Sequence, residues 1–399
     1  VRAVTLPIGP DEAGFELEDI AAGDGYLFVR DGVGVAGRGV AARVALADAA
    51  DLLASIDHVD EGGGRPPLAL GSVPFDPAGH DAAVLVVPSL LVGAAADGTR
   101  WVTRIEGGDE PPPPLVAAPR PVPRAQRFEV APLTPVDRYL TAVRTARDAV
   151  LGGTLLKAVI AREVEVRSDE PIDLHAVLLR LRASFGSSHR YSVDGLVGAS
   201  PELLVQVDGD VLRSHPLAGT APRTGDPATD ERAAARLIES TKDQVEHRVV
   251  IDMIHDTLLP WCSYLDWEPE PSIVTVANVQ HLGTAMEGRL SDPRPNVIDL
   301  VRALSPTPAL GGFPRDDALA LIAASEGFDR GRYGGAVGWV DAAGDGTWAV
   351  TIRCAEFGHD RRRARLVAGG GIVAASDPDS ELAETQAKLQ AMLSAIVRP

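Results

Sequence analysis

Up to about residue 105, apolar residues come in short runs bounded by Gly and Asp: "YLFVR" (26–30), "GVAARVAL" (39–46), "AAVLVVPSLLV" (82–92) and "TRWVTRIEG" (99–107). Runs of this length, rich in β-branched residues and broken by turn formers, predict strands. One stretch, "LADAADLLASID" (46–57), has helical spacing instead. The proline-dense "GGDEPPPPLVAAPRPVPRA" (107–125) has no helical period and predicts an extended, exposed connector. After it, "TPVDRYLTAVRTARDAVLGG" (134–153) has a Thr-Pro start, helically spaced apolar residues and a Gly-Gly stop, so it predicts a helix. "KAVIAREVEVR" (157–167) then alternates as a strand, which places Lys157 at a helix-to-strand entry, where side chains often face a cleft.

More strands are predicted across 191–217, followed by a long helical stretch over 228–262 with a possible break near Ser240. The region from about 270 to 375 returns to strands plus one helix, "RDDALALIAAS" (315–325). An amphipathic helix over 377–397 closes the chain. This order predicts an α+β fold with antiparallel sheets, because the regular strand–helix–strand rhythm of a doubly wound fold is missing.

Composition narrows the function classes. The net charge of -18, with no basic stretch except "RRRAR" (361–365), argues against nucleic acid or an anionic membrane as partner and leans towards a monomer. Those arginines are predicted to cap a hairpin loop. No run of apolar residues is long enough to span a bilayer, and the N-terminal residues lack the order of a signal peptide, so a cytoplasmic enzyme is expected. Cys262 and Cys354 stand alone, without metal-ligand spacing, and are expected to be small buried hydrophobes. Lysine is the informative residue. Of 38 basic residues only Lys157, Lys242 and Lys388 are Lys, and Lys, unlike Arg, can lose its proton and act as a base.

Several motifs carry possible chemistry. "GVGVAG" (32–37) matches a dinucleotide fingerprint, but another strand follows it where a phosphate-facing helix should open, so it reads as a hairpin turn. Asp243 and Glu246 are spaced i, i+3 on one predicted helix, and Glu381 and Glu384 repeat the spacing on the last. Such pairs more often mark a solvated face; if the two helices share a cleft, however, they offer oxygen ligands suited to Mg²⁺. "HPLAGTAPR" (215–223) and "VAGGGIVAAS" (367–376) are turns or places where backbone N–H groups approach a carboxylate. Arg353, in mid-strand among apolar neighbours, needs an anionic partner from the protein or from a ligand.

Taken in order, "KAVIAR", "GASPELL", "HPLAGTAPR", "STKDQVEH", "VQHLGT", "SPTPALGGFP", "FDRGRYGGAVGW", "TIRCAEF" and "VAGGGIVAASDPDSELAETQAKL" resemble the chorismate-utilising enzymes. That family includes isochorismate, salicylate, anthranilate and aminodeoxychorismate synthases. The resemblance runs from about residue 140 to the C-terminus and extends weakly into "LGSVPFDP" (70–77). It implies a single chorismate-binding domain over 1–399, with residues 1–125 contributing to the scaffold and 126–399 forming the catalytic core. The implied fold has two antiparallel sheets, outer helices and a cleft between the sheets. Within the family, the residues fit the branch that makes isochorismate. Members that add ammonia generally have Gln at the position of Lys157, and salicylate and anthranilate synthases usually have Arg at that of Ala221. Thr220 stands where the family tends to have Ser. Salicylate synthase is the alternative, and no glutaminase motif is present.

The resemblance also implies roles. Lys157 would be the general base that activates water, and Glu202 the general acid. Glu246 and Glu384 would hold Mg²⁺, with Asp243 and Glu381 orienting its waters. Arg353 and Tyr333 would bind the enolpyruvyl carboxylate with backbone N–H groups of Gly369 and Gly371. Gly219, Thr220, His281, Ala309, Leu310 and Ile352 would line the pocket. Lys388 would neutralise the carboxylates, whereas Lys242 is expected only in a surface salt bridge. The product would feed siderophore or menaquinone biosynthesis.

Overall fold

The computed structural model describes residues 1–9 and 14–398. Two large sheets dominate. The 13-stranded sheet contains the strands Phe128–Pro132, Lys157–Ser168, Arg363–Ile372, Cys354–Phe357, Leu196–Ser200 and His189–Val193, and continues directly into strands that precede the proline-rich connector. The 9-stranded sheet mixes both parts in the same way, with Ala336–Asp341 paired to Leu68–Val73. A third sheet of three strands comprises Leu217–Pro222, Val279–Gly283 and Ser272–Thr275. Among the described residues, neighbouring strands pair antiparallel except at one edge, where Arg2–Pro7 runs parallel to Asp57–Asp60.

The helices over Val136–Leu151, Arg315–Glu326 and Pro378–Val397 form where their spacing predicts. The helical stretch after residue 226 divides into Pro227–Glu239 and Thr241–Leu258, because Ser240 leaves the helical conformation and its side chain caps the second helix at the Asp243 N–H. Among the described residues, three α-helices lie beyond those predicted: Leu17–Ala21, Leu174–Ser184 and Val297–Leu304. The last sits in a region read as strands with a single helix. Its apolar, β-branched start favours that reading, but Asn296 and Asp299 form a capping box that starts a helix. The "GVGVAG" segment falls across the Tyr26–Arg30/Val33–Arg38 hairpin, and "RRRAR" crosses the loop into Arg363–Ile372.

Apolar side chains of the two large sheets, such as Leu70, Ile160, Tyr191 and Trp348, make one core. Leu178, Leu389 and Met392 form another with the outer helices on the far side of the larger sheet. No helix among the described residues is long and apolar enough to cross a membrane.

The chain passes between the two sheets twice in ways that set the site. It leaves Leu196–Ser200, turns through Pro201 and Glu202, and enters Leu203–Asp208 in the other sheet. It returns from Gly346–Val350 through Thr351, Ile352 and Arg353 into Cys354–Phe357. The crossings are bonded to each other, with the Val350 N–H on the Glu202 carbonyl and the Ala199 N–H on the Arg353 carbonyl, both at 3.1 Å.

Candidate active site

Glu202 and Arg353 therefore meet where the chain crosses between the sheets, and both line one cleft there. Glu202, Gly219, Thr220, Glu246, His281, Ala309, Leu310, Tyr333, Ile352, Arg353, Gly369, Gly371 and Lys388 line it, as do Pro201, Leu217, Ala218, Val367 and Ala368. The last five did not stand out in the sequence, being neighbours of the motif residues in the turn after Leu196–Ser200 and on the strands Leu217–Pro222 and Arg363–Ile372.

Glu202 is 2 % exposed. Burial pushes its carboxyl up to about 7, against the opposing effects of the Leu217 N–H at 3.4 Å and the charges of Lys157, Lys388 and Arg353. It is thus a carboxylic acid able to carry a proton near neutral pH. Arg353 has a left-handed backbone, with φ of 53°. The Tyr191 hydroxyl donates to the carbonyl of the preceding Ile352 at 2.9 Å and braces this kink. Burial lowers the Arg353 guanidinium to about 10, which leaves it charged. Of the two anionic partners expected for it, a protein carboxylate or a ligand, no carboxylate pairs with it among the described residues: Nη2 lies 3.0 Å from His281 Nε2, and Nη1 is buried without a partner. An unpaired buried guanidinium facing a cleft is suited to an anionic ligand. Burial also pushes the Tyr333 phenol up to about 12, so it is neutral.

Lys157 has no exposure and packs directly against Glu246 and Gly371 of the cleft lining. Its Nζ is 2.9 Å from Glu246 Oε1, close enough for an ion pair but without an aligned hydrogen bond. Two features hold its strand. The Lys157–Ser168 strand pairs along its length with Arg363–Ile372, and the buried Glu326–Arg330 pair bonds the Ala161 N–H and the Val159 carbonyl. Gly371 gives the amine its room. A Cβ there would stand 2.1 Å from Glu246 Oε1 and 2.8 Å from Lys157 Cε. Gly371→Ala should accordingly displace both groups, and we expect roughly a 10²-fold loss of kcat/KM with the thermal transition retained; steady-state kinetics beside a melting curve checks this.

The helices Thr241–Leu258 and Pro378–Val397 bring Asp243, Glu246, Glu381 and Glu384 close enough to feel one another's charges. Burial first, then the charges of Glu246 and Glu384, raises the Asp243 carboxyl above its usual range. Burial and the Glu384 charge raise Glu381 likewise. Burial opposes the Glu384 carboxylate too, but Lys388 at 2.6 Å and the Lys242 charge outweigh it and hold it low. Lys388 also donates to the Gly369 carbonyl at 2.8 Å. Lys242 departs from expectation. Its ammonium is 3.0 Å from buried Glu381, so it belongs to this cluster and does not form an incidental surface bridge. Its side chain reaches across to the last helix, a contact that sequence spacing cannot indicate.

Mutually repelling carboxylates, buried at Glu246 and Glu381 and half-buried at Asp243 and Glu384, fit a hard divalent cation. Among the described residues, no three His, Cys, Asp or Glu side chains form a group able to hold a metal unaided. A cation here would need water and ligand oxygens to complete its coordination.

A protonatable acid, a buried lysine, an unpaired guanidinium and clustered carboxylates around one cleft define an acid–base site for an anionic small molecule. The family model for chorismate-binding enzymes matches residues 114–397. The chain is 42% identical to the MenF protein of Mycobacterium tuberculosis over 346 residues, covering 84% of this chain and 87% of that one. It is 38% identical over 353 residues to the isochorismate synthase DhbC of Bacillus subtilis, with 86% and 84% covered. It superposes on the menaquinone-specific isochorismate synthase MenF of Escherichia coli with a TM-score of 0.83, at 23% identity and with 99% and 94% covered. The chain belongs to the chorismate-binding enzyme family.

Proposed function

We propose that the protein is an isochorismate synthase that adds water at C2 of chorismate and expels the C4 hydroxyl. The observation that carries this reading is the pairing, around one cleft, of buried Lys157 with a carboxyl group at Glu202 pushed up to about 7. Addition of water and loss of hydroxide need a base and an acid at once. Lys157 takes a proton from water as its oxygen bonds to C2. The ring double bonds shift, the C4–O bond breaks, and Glu202 gives its proton to the departing hydroxyl, which leaves as water. Arg353, through Nη1, and Tyr333 bind the enolpyruvyl carboxylate, and backbone N–H groups of Gly369 and Gly371 complete that site. Glu246 and Glu384 would hold Mg²⁺, with Asp243 and Glu381 placing its waters, and the bound ion would neutralise the ring carboxylate and withdraw charge from the ring.

Lys157, where ammonia-adding relatives have Gln, supports water as the nucleophile. Ala221 supports a reaction that stops at isochorismate, which a cytoplasmic siderophore or menaquinone pathway can use. The proton on Glu202 sets the alkaline side of the pH profile. Because this carboxyl must be protonated to release the hydroxyl, kcat/KM for isochorismate formation should fall as pH rises through about 7. Glu202→Gln, which cannot donate an acidic proton, should lose roughly 10²–10⁴-fold in kcat. A rate that is flat through this range, together with an active Glu202→Gln variant, would remove Glu202 from the acid role.

A further inference from the structure

The strand Val279–Gly283 pairs with Leu217–Pro222, and the register slips between Ala218 and Thr220. Gly219 sits in this irregularity with φ of +73°, a conformation that favours glycine. There the Gly219 carbonyl lies 3.0 Å from His281 Nδ1, and Thr220 Oγ1 lies 3.2 Å from the same nitrogen. On the other side of the ring, Nε2 is 3.0 Å from Arg353 Nη2. A carbonyl oxygen can only accept a hydrogen bond and a guanidinium can only donate one. One protonation state satisfies both neighbours, the neutral imidazole with its hydrogen on Nδ1. Thr220 then faces an N–H and accepts from it, so its own hydroxyl proton is free for the cleft.

We propose that His281 is a positioning residue and not a substrate contact: as the Nδ1–H tautomer it bridges Gly219 and Arg353, leaving Arg353 Nη1 and the Thr220 hydroxyl as donors for a ligand carboxylate. The inference rests on the reading of the cleft as a carboxylate-binding site. Burial, with the charges of Arg353 and Lys388, holds His281 down to about 3, which agrees with a permanently neutral ring. The partly unpaired Arg353 side chain shows what the bridge does. With Nη2 fixed by the imidazole, the guanidinium cannot swing within its buried site, and Nη1 stays aimed and unpaired.

Nitrogen NMR of ¹⁵N-histidine-labelled protein, recorded without substrate, tests the tautomer. The His281 signals, assigned by their loss in His281→Gln, should show protonated Nδ1 and bare Nε2, unchanged between about pH 5.5 and 8.5. An Nε2–H form, or protonation within that range, would overturn the inference. Kinetics test the consequence. His281→Leu, with no acceptor for Arg353, should raise KM for chorismate roughly tenfold or more while kcat changes less, and His281→Gln, whose amide oxygen can accept, should recover most of the loss. Equal effects of Leu and Gln, or a loss confined to kcat, would refute the positioning role. If the protein made no isochorismate at all, the functional reading would fail while the nitrogen spectrum would still decide the tautomer.

Discussion

Lys157→Ala should all but abolish isochorismate formation, lowering kcat by roughly 10²–10⁴-fold, the span a well-placed general base contributes. The loss should fall on kcat, because Lys157 is proposed to move a proton and Arg353 and Tyr333 to hold the carboxylate. The substitution also strips Glu246 of its 2.9 Å partner, so a companion variant is needed. Lys157→Gln keeps a polar group of similar reach beside Glu246 but cannot accept a proton at neutral pH. It should be as inactive as the Ala variant while melting closer to the parent. Turnover within a few-fold of the parent in either variant would exclude Lys157 as the base.

The carboxylate pairs carry the second large effect. Glu246→Gln and Glu384→Gln should each weaken Mg²⁺ binding by roughly 100-fold or more and take most of the activity with it. Thermal melting gives a readout independent of turnover: a cation bound only to the folded protein raises its melting temperature by an amount that grows with the logarithm of its concentration relative to Kd. We expect a Mg²⁺-dependent rise in the parent and none in the variants over the same concentrations. Without metal, the two variants should differ from each other. Glu384→Gln loses a 2.6 Å ion pair with Lys388 but relieves repulsion on Asp243 and Glu381. Glu246→Gln removes a like charge from Asp243 and the partner of fully buried Lys157. Unaltered Mg²⁺ stabilisation in both variants would move the metal away from this cluster.

What the sequence revealed and what it concealed follow from the range of the interactions involved. Local periodicity predicts the helix Val136–Leu151, the strand from Lys157 and the i, i+3 carboxylates, because each is a property of neighbouring residues. The break at Ser240 is also local, as an N-cap side chain acts within its own turn. The two crossings between sheets are not local. "SPEL" and "TIRC" each look like parts of continuous strands, yet the chain changes sheets at Glu202 and Arg353, and that change brings an acid and a guanidinium to one cleft. Lys242 is instructive for the same reason. Its partner Glu381 is on the last helix, and spacing along one helix holds no trace of it. The link between His281, Gly219 and Arg353 likewise depends on a slip in strand register. The motif resemblance carried residues into the site that periodicity alone would have left as turns and core.

The central claim is that this cleft isomerises chorismate to isochorismate and stops. Its most direct test is to incubate the purified protein with chorismate and Mg²⁺, with and without ammonia, and to resolve the products by chromatography. Isochorismate in equilibrium with chorismate, with neither salicylate nor an aminated product, is the predicted result. Accumulation of salicylate and pyruvate, or of anthranilate when ammonia is present, would contradict it.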